Sequence, residues 1–169
     1  MLECLIFKTN WHFIMNDKRS LQDIHAPKSI CFGCGPLNEN GLKIKSYKYK
    51  NGLRMSFHPK KEHQAFPGVL NGGIIGTLFD CHGNWTAAMS IFESNNQKQF
   101  PATVTAFFEV QLLKPTPVDT KIEIFSQIIT SSKNKAKVEL ELFSKNDICA
   151  KSIGVFVSVK EGHPAFYRW

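Results

Sequence analysis

Two hydrophobic periods divide the chain. After Pro101 the period is two. Val104, Ala106, Phe108, Val110 and Leu112 alternate with Thr103, Thr105, Phe107, Glu109 and Gln111 until Lys114-Pro-Thr-Pro117 breaks the run. Ile122, Ile124 and Ile128 face one way in the next run. After a turn at 131–134, Ala136, Val138, Leu140 and Leu142 alternate with Lys137, Glu139 and Glu141. Asn146-Asp147 turns again, and Ile153, Val155, Val157 and Val159 line one side of a last run from about 148 to 159. Upstream, Leu42–Tyr49 and Leu53–His58 are shorter alternating runs joined by Lys50-Asn51-Gly52, with Pro59 closing the second. Alternation predicts strands, and Asn-Gly between two of them predicts a hairpin. Between these blocks, residues 72–92 carry Ile74, Ile75, Leu78, Phe79, His82, Trp85 and Met89 at helical spacing. The order is therefore two strands, one long helix and four long strands. Such short turns make the strands antiparallel, and a single apolar helix must bury itself in the sheet. The expectation is an α+β fold in which a six-strand antiparallel sheet wraps a long central helix.

The start of that helix draws attention. Asn71 follows a turn-rich loop, Glu62–Leu70, and suits an N-cap, its side chain accepting a first-turn amide. Gly72 and Gly73 leave the first backbone amides uncovered where the helix dipole is positive, a place for an anion or a carbonyl oxygen becoming one. Gly76, Asp80, Gly83 and Ala87 share one face, a strip of small residues with one carboxylate in it. Interior glycines cost roughly 1 kcal/mol each against alanine, so something approaches closely. Either a ligand does so, or the helix packs tightly on a sheet or second subunit with Asp80 solvated or paired.

The composition adds constraints. The chain has 169 residues, 43% of them hydrophobic, and fits one soluble domain. Its net charge of +7 comes from scattered lysines without a nucleic-acid-binding signature, so no nucleic acid is expected; an acidic small ligand suits the surface equally. Five scattered cysteines, an odd number, predict free thiols and a reducing, cytoplasmic setting. Cys31-Phe-Gly-Cys34 looks like half a zinc knuckle, but with no second pair and no ligand-spaced histidines, no metal is expected. The apolar run in residues 1–12 is too short, and too interrupted by Glu3 and Lys8, for a signal or a membrane span. Met15 is an expected alternative start. Residues 1–29 read as an N-terminal tail with at most a short helix, 30–160 as the domain, and 161–169 as a C-terminal tail whose aromatics pack down.

Three stretches resemble a known family: Cys31-x-x-Cys-Gly-Pro-x-Asn-x-x-Gly-Leu42, His63-Gln-x-Phe-Pro-Gly-Val-Leu-x-Gly-Gly-Ile74, and Leu78-Phe-Asp80. With Leu113-Lys-Pro-Thr-Pro117 they are similar to the PaaI-type acyl-CoA thioesterases of the hotdog superfamily over about residues 30–160. The resemblance implies a hotdog fold, a homodimer or dimer of dimers with interfacial active sites, and an acyl-CoA substrate hydrolysed to acid and CoA. It implies no cofactor, since coenzyme A belongs to the substrate. Asp80 matches the catalytic carboxylate, as general base or as nucleophile. Gly72 and Gly73 match the amides that receive the thioester oxygen, and Thr105 matches a hydroxyl that holds water. One departure stands out: Asn71 replaces the histidine usual before the two glycines, so it can cap and donate but not carry charge. His63 and Gln64 are neighbours that would contact substrate, and Gln64 is the nearest match to an amide found in that loop in some relatives. Lys114 and Lys133, at strand ends, are candidates for the coenzyme phosphates. Asn71 also motivates an alternative, a non-hydrolytic acyl-CoA or lipid-binding hotdog protein.

Overall fold

The structure, a computed structural model, describes residues 19–168; the suggested start at Met15 lies outside them. After a short helix α1 (Leu21–His25) come β1 (Tyr47–Tyr49), β2 (Gly52–Phe57), a small β3 (Gln64–Phe66) and β4 (Val69–Leu70). The long helix α2 (Gly72–Ser94) follows, then β5 (Thr103–Leu112), β6 (Ile122–Ser131), β7 (Lys135–Ser144) and β8 (Asp147–Ser158). Six strands form one sheet in the order β1-β2-β6-β7-β8-β5, antiparallel throughout. α2 lies across β2 and β5–β8. This is the expected α+β, hotdog architecture.

The core explains why α2 is central. From Cys81 to Met89 every residue is buried, because the sheet covers one side and the segment from Leu21 to Ser46 covers the other. Leu21, Ala26, Cys34, Leu42 and Ile44 join Leu78, Phe79, Trp85, Leu140, Leu142 and Phe156 in one cluster. A helix apolar on all sides is a buried one. The small-residue strip divides. Gly83 meets the sheet: a Cβ there would lie 2.7 Å from Phe156 Cζ and 3.3 Å from Leu140 Cδ1. Gly76 is looser, its nearest neighbour being Phe108 Cε2 at 4.0 Å. Tight packing on the sheet thus accounts for the C-terminal half of the strip.

Several local expectations are corrected. β1 is only Tyr47–Tyr49. The preceding residues pair instead with the glycine loop and α1, through Leu42 N–H to Phe32 C=O (2.8 Å), Ile44 N–H to Gly33 C=O (3.0 Å) and Leu21 N–H to Ser46 C=O (2.9 Å). The hairpin turns on Lys50-Asn51, because Tyr49 pairs with Gly52, and Lys50 takes the positive φ of 49°. Gly52 is needed one step later, where any Cβ would collide with the Ser126 carbonyl of β6. In β5 a bulge between Thr105 and Phe107 breaks the alternation; after it Phe108 takes the helix side, beside Gly76, and Phe107 the opposite side, 41% and 52% exposed.

Candidate active site

Asp80 sits in the third turn of α2, half-buried, beside the inner end of β5. Thr105 Oγ1 donates to Asp80 Oδ1 at 2.5 Å. Asn84, one turn further along α2, points its Nδ2 at Thr105 Oγ1 (3.4 Å), and Thr103 Oγ1 donates to Asn84 Oδ1 at 2.6 Å. The chain of donors runs one way. With Asn84 donating into the Thr105 oxygen, the threonine proton is left for the carboxylate. Thr103 and Thr105 both face the helix, as alternation about Val104 requires, and the bulge after Thr105 gives the next place on that face to Phe108 and not to Phe107. Asn84 is the member that sequence reasoning missed. Its spacing of i+4 from Asp80 was the available signal.

The helix start is built as a cap. Asn71 Oδ1 accepts from Gly73 N–H at 2.7 Å, and its carbonyl accepts from Ile75 N–H at 3.1 Å. The Gly73 amide, expected to be bare, is therefore occupied by the cap, and of the two glycine amides Gly72's is the one left to meet a ligand. Leu112 Cδ1 closes over Gly72, 3.1 Å from where a Cβ would stand.

His63 and Gln64 shape the loop. His63 C=O accepts from Asn71 N–H (2.9 Å), and its Nδ1 accepts from Lys60 N–H (3.0 Å). Burial holds the His63 ring below the ordinary histidine value. Gln64 closes the same loop with both ends of its amide, donating to Lys61 C=O and accepting from Gly68 N–H, each at 2.7 Å. Gly68 makes that closure with φ +81°. Both side chains are thus engaged in holding the loop against the cap.

No protein-family model and no curated protein matches the sequence. Solved structures do. A thioesterase superfamily protein from Shewanella loihica PV-4 is 32% identical, aligned over 69% of this chain and 91% of its own, with a TM-score of 0.59. The chain belongs to the thioesterase superfamily. The E. coli PaaI protein of the phenylacetic acid degradation operon shares the fold at 13% identity, over 70% of this chain and 81% of its own, TM-score 0.60. So does smu.793 from Streptococcus mutans UA159, a structure bound to acetyl CoA, at 14% identity over 69% and 88%, TM-score 0.57.

In this thioesterase-superfamily fold the two candidate lysines are far apart. Lys114 follows the end of β5 that touches the helix N-terminus, and pairs with Asp147 Oδ1 at 2.5 Å. Lys133 lies at the β6–β7 turn, where its carbonyl accepts from Asn95 Nδ2 (3.1 Å) beyond the helix C-terminus. The 23-residue helix separates those ends, on the order of 35 Å at 1.5 Å per residue. Within one chain they do not hold the same phosphates. Trp85 is buried in the core and stacks on Phe100, which also meets Phe92, so these aromatics are packing, whereas Phe107 and Phe108 stay at the surface beside the site. Among the described residues one group could hold a metal: Cys31, Cys34 and Cys81.

Proposed function

We propose that the chain hydrolyses acyl-CoA thioesters to free acid and coenzyme A, with Asp80 as the reacting carboxylate. The observation that carries this is the Thr105–Asp80 hydrogen bond of 2.5 Å on the central helix of a thioesterase-superfamily fold. Thr105 holds Oδ1, leaving Oδ2 for the reaction. In the base route, Oδ2 takes a proton from a water that attacks the thioester carbon. The tetrahedral oxyanion then collapses, the C–S bond breaks, and the coenzyme thiolate leaves and takes up a proton. In the nucleophile route, Oδ2 attacks the carbon itself and expels the coenzyme thiolate, which takes up a proton, and water then opens the anhydride at the Asp80 carbonyl. A single turnover in ¹⁸O water separates them, since only the second labels the carboxylate of Asp80.

The geometry of one helix argues for two subunits. Asp80 is eight residues beyond Gly72, about 12 Å along the axis, so one chain cannot bring both its Asp80 carboxylate and its Gly72 amide onto one carbonyl. Two antiparallel copies can, each lending its helix start to the other's carboxylate. β5 is an edge strand of ten residues with Phe107, Phe108 and Leu112 exposed, a surface that calls for a cover. A homodimer or dimer of dimers joined along β5 would supply both. The acetyl CoA held by smu.793 supports a coenzyme thioester as the ligand class.

The cap favours a second reading. Because Asn71 already occupies the Gly73 amide, the oxyanion position has fewer donors, and losing one typically adds about 3 kcal/mol to the barrier. A protein that binds acyl-CoA without hydrolysing it would result. Thiol release from short-chain, long-chain and arylacetyl-CoA by wild type and Asp80→Ala decides. Turnover lost in the variant supports hydrolysis at Asp80; unchanged turnover removes Asp80 from the mechanism. Tight binding by a turnover-free wild type establishes the second reading.

A further inference from the structure

The loop that precedes the sheet carries a cluster that the thioesterase reading does not use. Cys31 and Cys34 stand at its tight turn, closed by Gly35 N–H to Cys31 C=O at 2.8 Å. The fold brings this turn against α2, so that Cys81 completes a trio whose sulfur atoms all lie within 4.8 Å of one another. Cys31 Sγ and Cys81 Sγ are 3.8 Å apart. Gly33 makes the approach possible: a Cβ there would run into Cys81 Sγ. All three cysteines are free thiols, two of them buried and Cys31 half-buried.

We propose that Cys31, Cys34 and Cys81 form a zinc site that staples the loop to α2. Three features carry the assignment. First, the spacing fits. Tetrahedral zinc with Zn–S of about 2.3 Å sets neighbouring sulfurs about 3.8 Å apart, the separation of Cys31 and Cys81. The widest pair in the trio needs to close by no more than about 1 Å from its 4.8 Å limit. Second, the turn is built to hold a thiolate. The backbone N–H groups of Gly33 and Cys34 lie against the Cys31 sulfur, and Trp85 Nε1–H donates to Cys34 Sγ at 3.3 Å. Such outer donors orient metal ligands and offset their charge. Third, the cluster is all sulfur, which selects zinc over magnesium or calcium. A disulfide would join only two of the three sulfurs, and it would need an oxidant.

On binding, the three thiols release three protons to solvent, and zinc with three thiolates carries a net charge of −1. Among the described residues no fourth His, Cys, Asp or Glu joins the group; water entering past half-buried Cys31 takes the fourth corner. Asp80 turns to Thr105 of β5 while Cys81 turns to the loop, so the cation would sit on a different flank of α2 from the carboxylate. Its role is then to fix the helix one residue past Asp80, not to take part in hydrolysis.

Metal content tests this independently of any esterase activity. Full-length protein is purified reduced, without chelator, from cells grown with added zinc, and its zinc is measured by mass spectrometry. One zinc per chain is expected, with X-ray absorption counting three sulfurs about 2.3 Å from the metal. Cobalt substitution should give the sulfur-to-metal charge-transfer bands of a tetrahedral thiolate site. Zinc should fall to none in Cys34→Ser and stay at one in Cys149→Ser, whose thiol lies outside the cluster. If the serine variant fails to fold, the sulfur count on wild type still decides. Reduced wild type that carries no zinc and takes none up on titration would overturn the proposal. So would zinc that survives Cys34→Ser, or peptide mapping of a Cys31–Cys81 disulfide in the native protein.

Discussion

His82 should give the protein an acid sensitivity that belongs to one side chain. Its ring is fully buried. Burial pushes its value down to about 3 from 6.5, with a hydrogen bond to the Leu53 backbone opposing the fall only in part. Nδ1 meets Ser46 Oγ at 2.8 Å, and Ser46 Oγ also accepts from Gln22 Nε2 (3.0 Å). On the other side Ser126 Oγ is 3.3 Å from Nε2. A neutral ring donating toward Leu53 and accepting from the Ser46 hydroxyl satisfies this shell. Charging it would force the Ser46 proton to turn away. The folded value lies below the unfolded one, so between about pH 3 and 6.5 the unfolded chain binds more protons. The stability held by the neutral ring is thus complete above pH 6.5 and is lost as pH falls toward 3. Integrating over that window gives a loss of roughly 2 kcal/mol by pH 5 relative to pH 8, a large share of a typical stability of about 5–15 kcal/mol. His25 and His63 are also lowered, chiefly by burial, and they push the same way. The test is therefore a difference. Urea unfolding at pH 7.5 and 5.0 is compared for wild type and His82→Gln. Wild type should lose about 2 kcal/mol more across that interval than the variant, whatever the variant's starting stability. Equal losses in the two proteins would refute the reasoning.

Further outcomes follow from other contacts. Asp80→Asn should lower thiol release by roughly 10²–10⁴-fold while leaving the melting temperature within a few degrees; Thr105→Val should lower it less, with kcat falling more than KM rises, and an unchanged kcat would detach Thr105 from Asp80. Gly83→Ala sets a helix-propensity gain of about 1 kcal/mol against overpacking on Phe156 of about 1–3 kcal/mol. A net loss is expected in chemical denaturation, and combining it with Phe156→Leu should recover part of it. Asn71→Ala removes the cap and should cost about 1 kcal/mol, although it frees the Gly73 amide; any rise in kcat would show that the cap restrains catalysis. Phe107→Glu on the exposed face of β5 should shift sedimentation toward a single chain.

Local periodicity carried much of the fold, because a strand lying on the helix alternates under its own burial: β7 is buried at every second position along its length. The same signal failed wherever a residue answers to a distant partner. Leu42 and Ile44 look like strand residues, yet their amides pair with the glycine loop. Thr105 and Phe107 look like one face of one strand, yet the bulge between them keeps Thr105 on Asp80 and puts Phe108, not Phe107, beside Gly76. Residues 20–26, read as tail with at most a short helix, do carry that helix, α1, but Leu21 and Ala26 lie in the core, and five residues are too few to print the period that would have shown it. At the site, the Asn71 cap was legible from its neighbours in sequence, whereas its consequence, an occupied Gly73 amide, is a matter of where one oxygen points.

The cysteine cluster shows the same boundary most sharply. Cys31 and Cys34 are a local pair, visible as a turn of the knuckle kind. Cys81 is fifty residues away, in a helix whose apolar spacing gives it no distinction from Ala87 or Ala88. What joins them is a close approach, and close approaches leave a trace in sequence only as glycines. Gly33 against Cys81, Gly52 against Ser126 and Gly83 against Phe156 are three such traces, each marking a contact that no period predicts. Substituting Gly33 by alanine should therefore separate the turn from α2 and lower zinc content together with stability. Gly41→Ala is the matched control, since it strains the same loop against Phe32 and Asn38 without touching the thiols. Equal zinc loss in the two variants would mean that the loop's fold at large, and not the approach at Gly33, assembles the cluster.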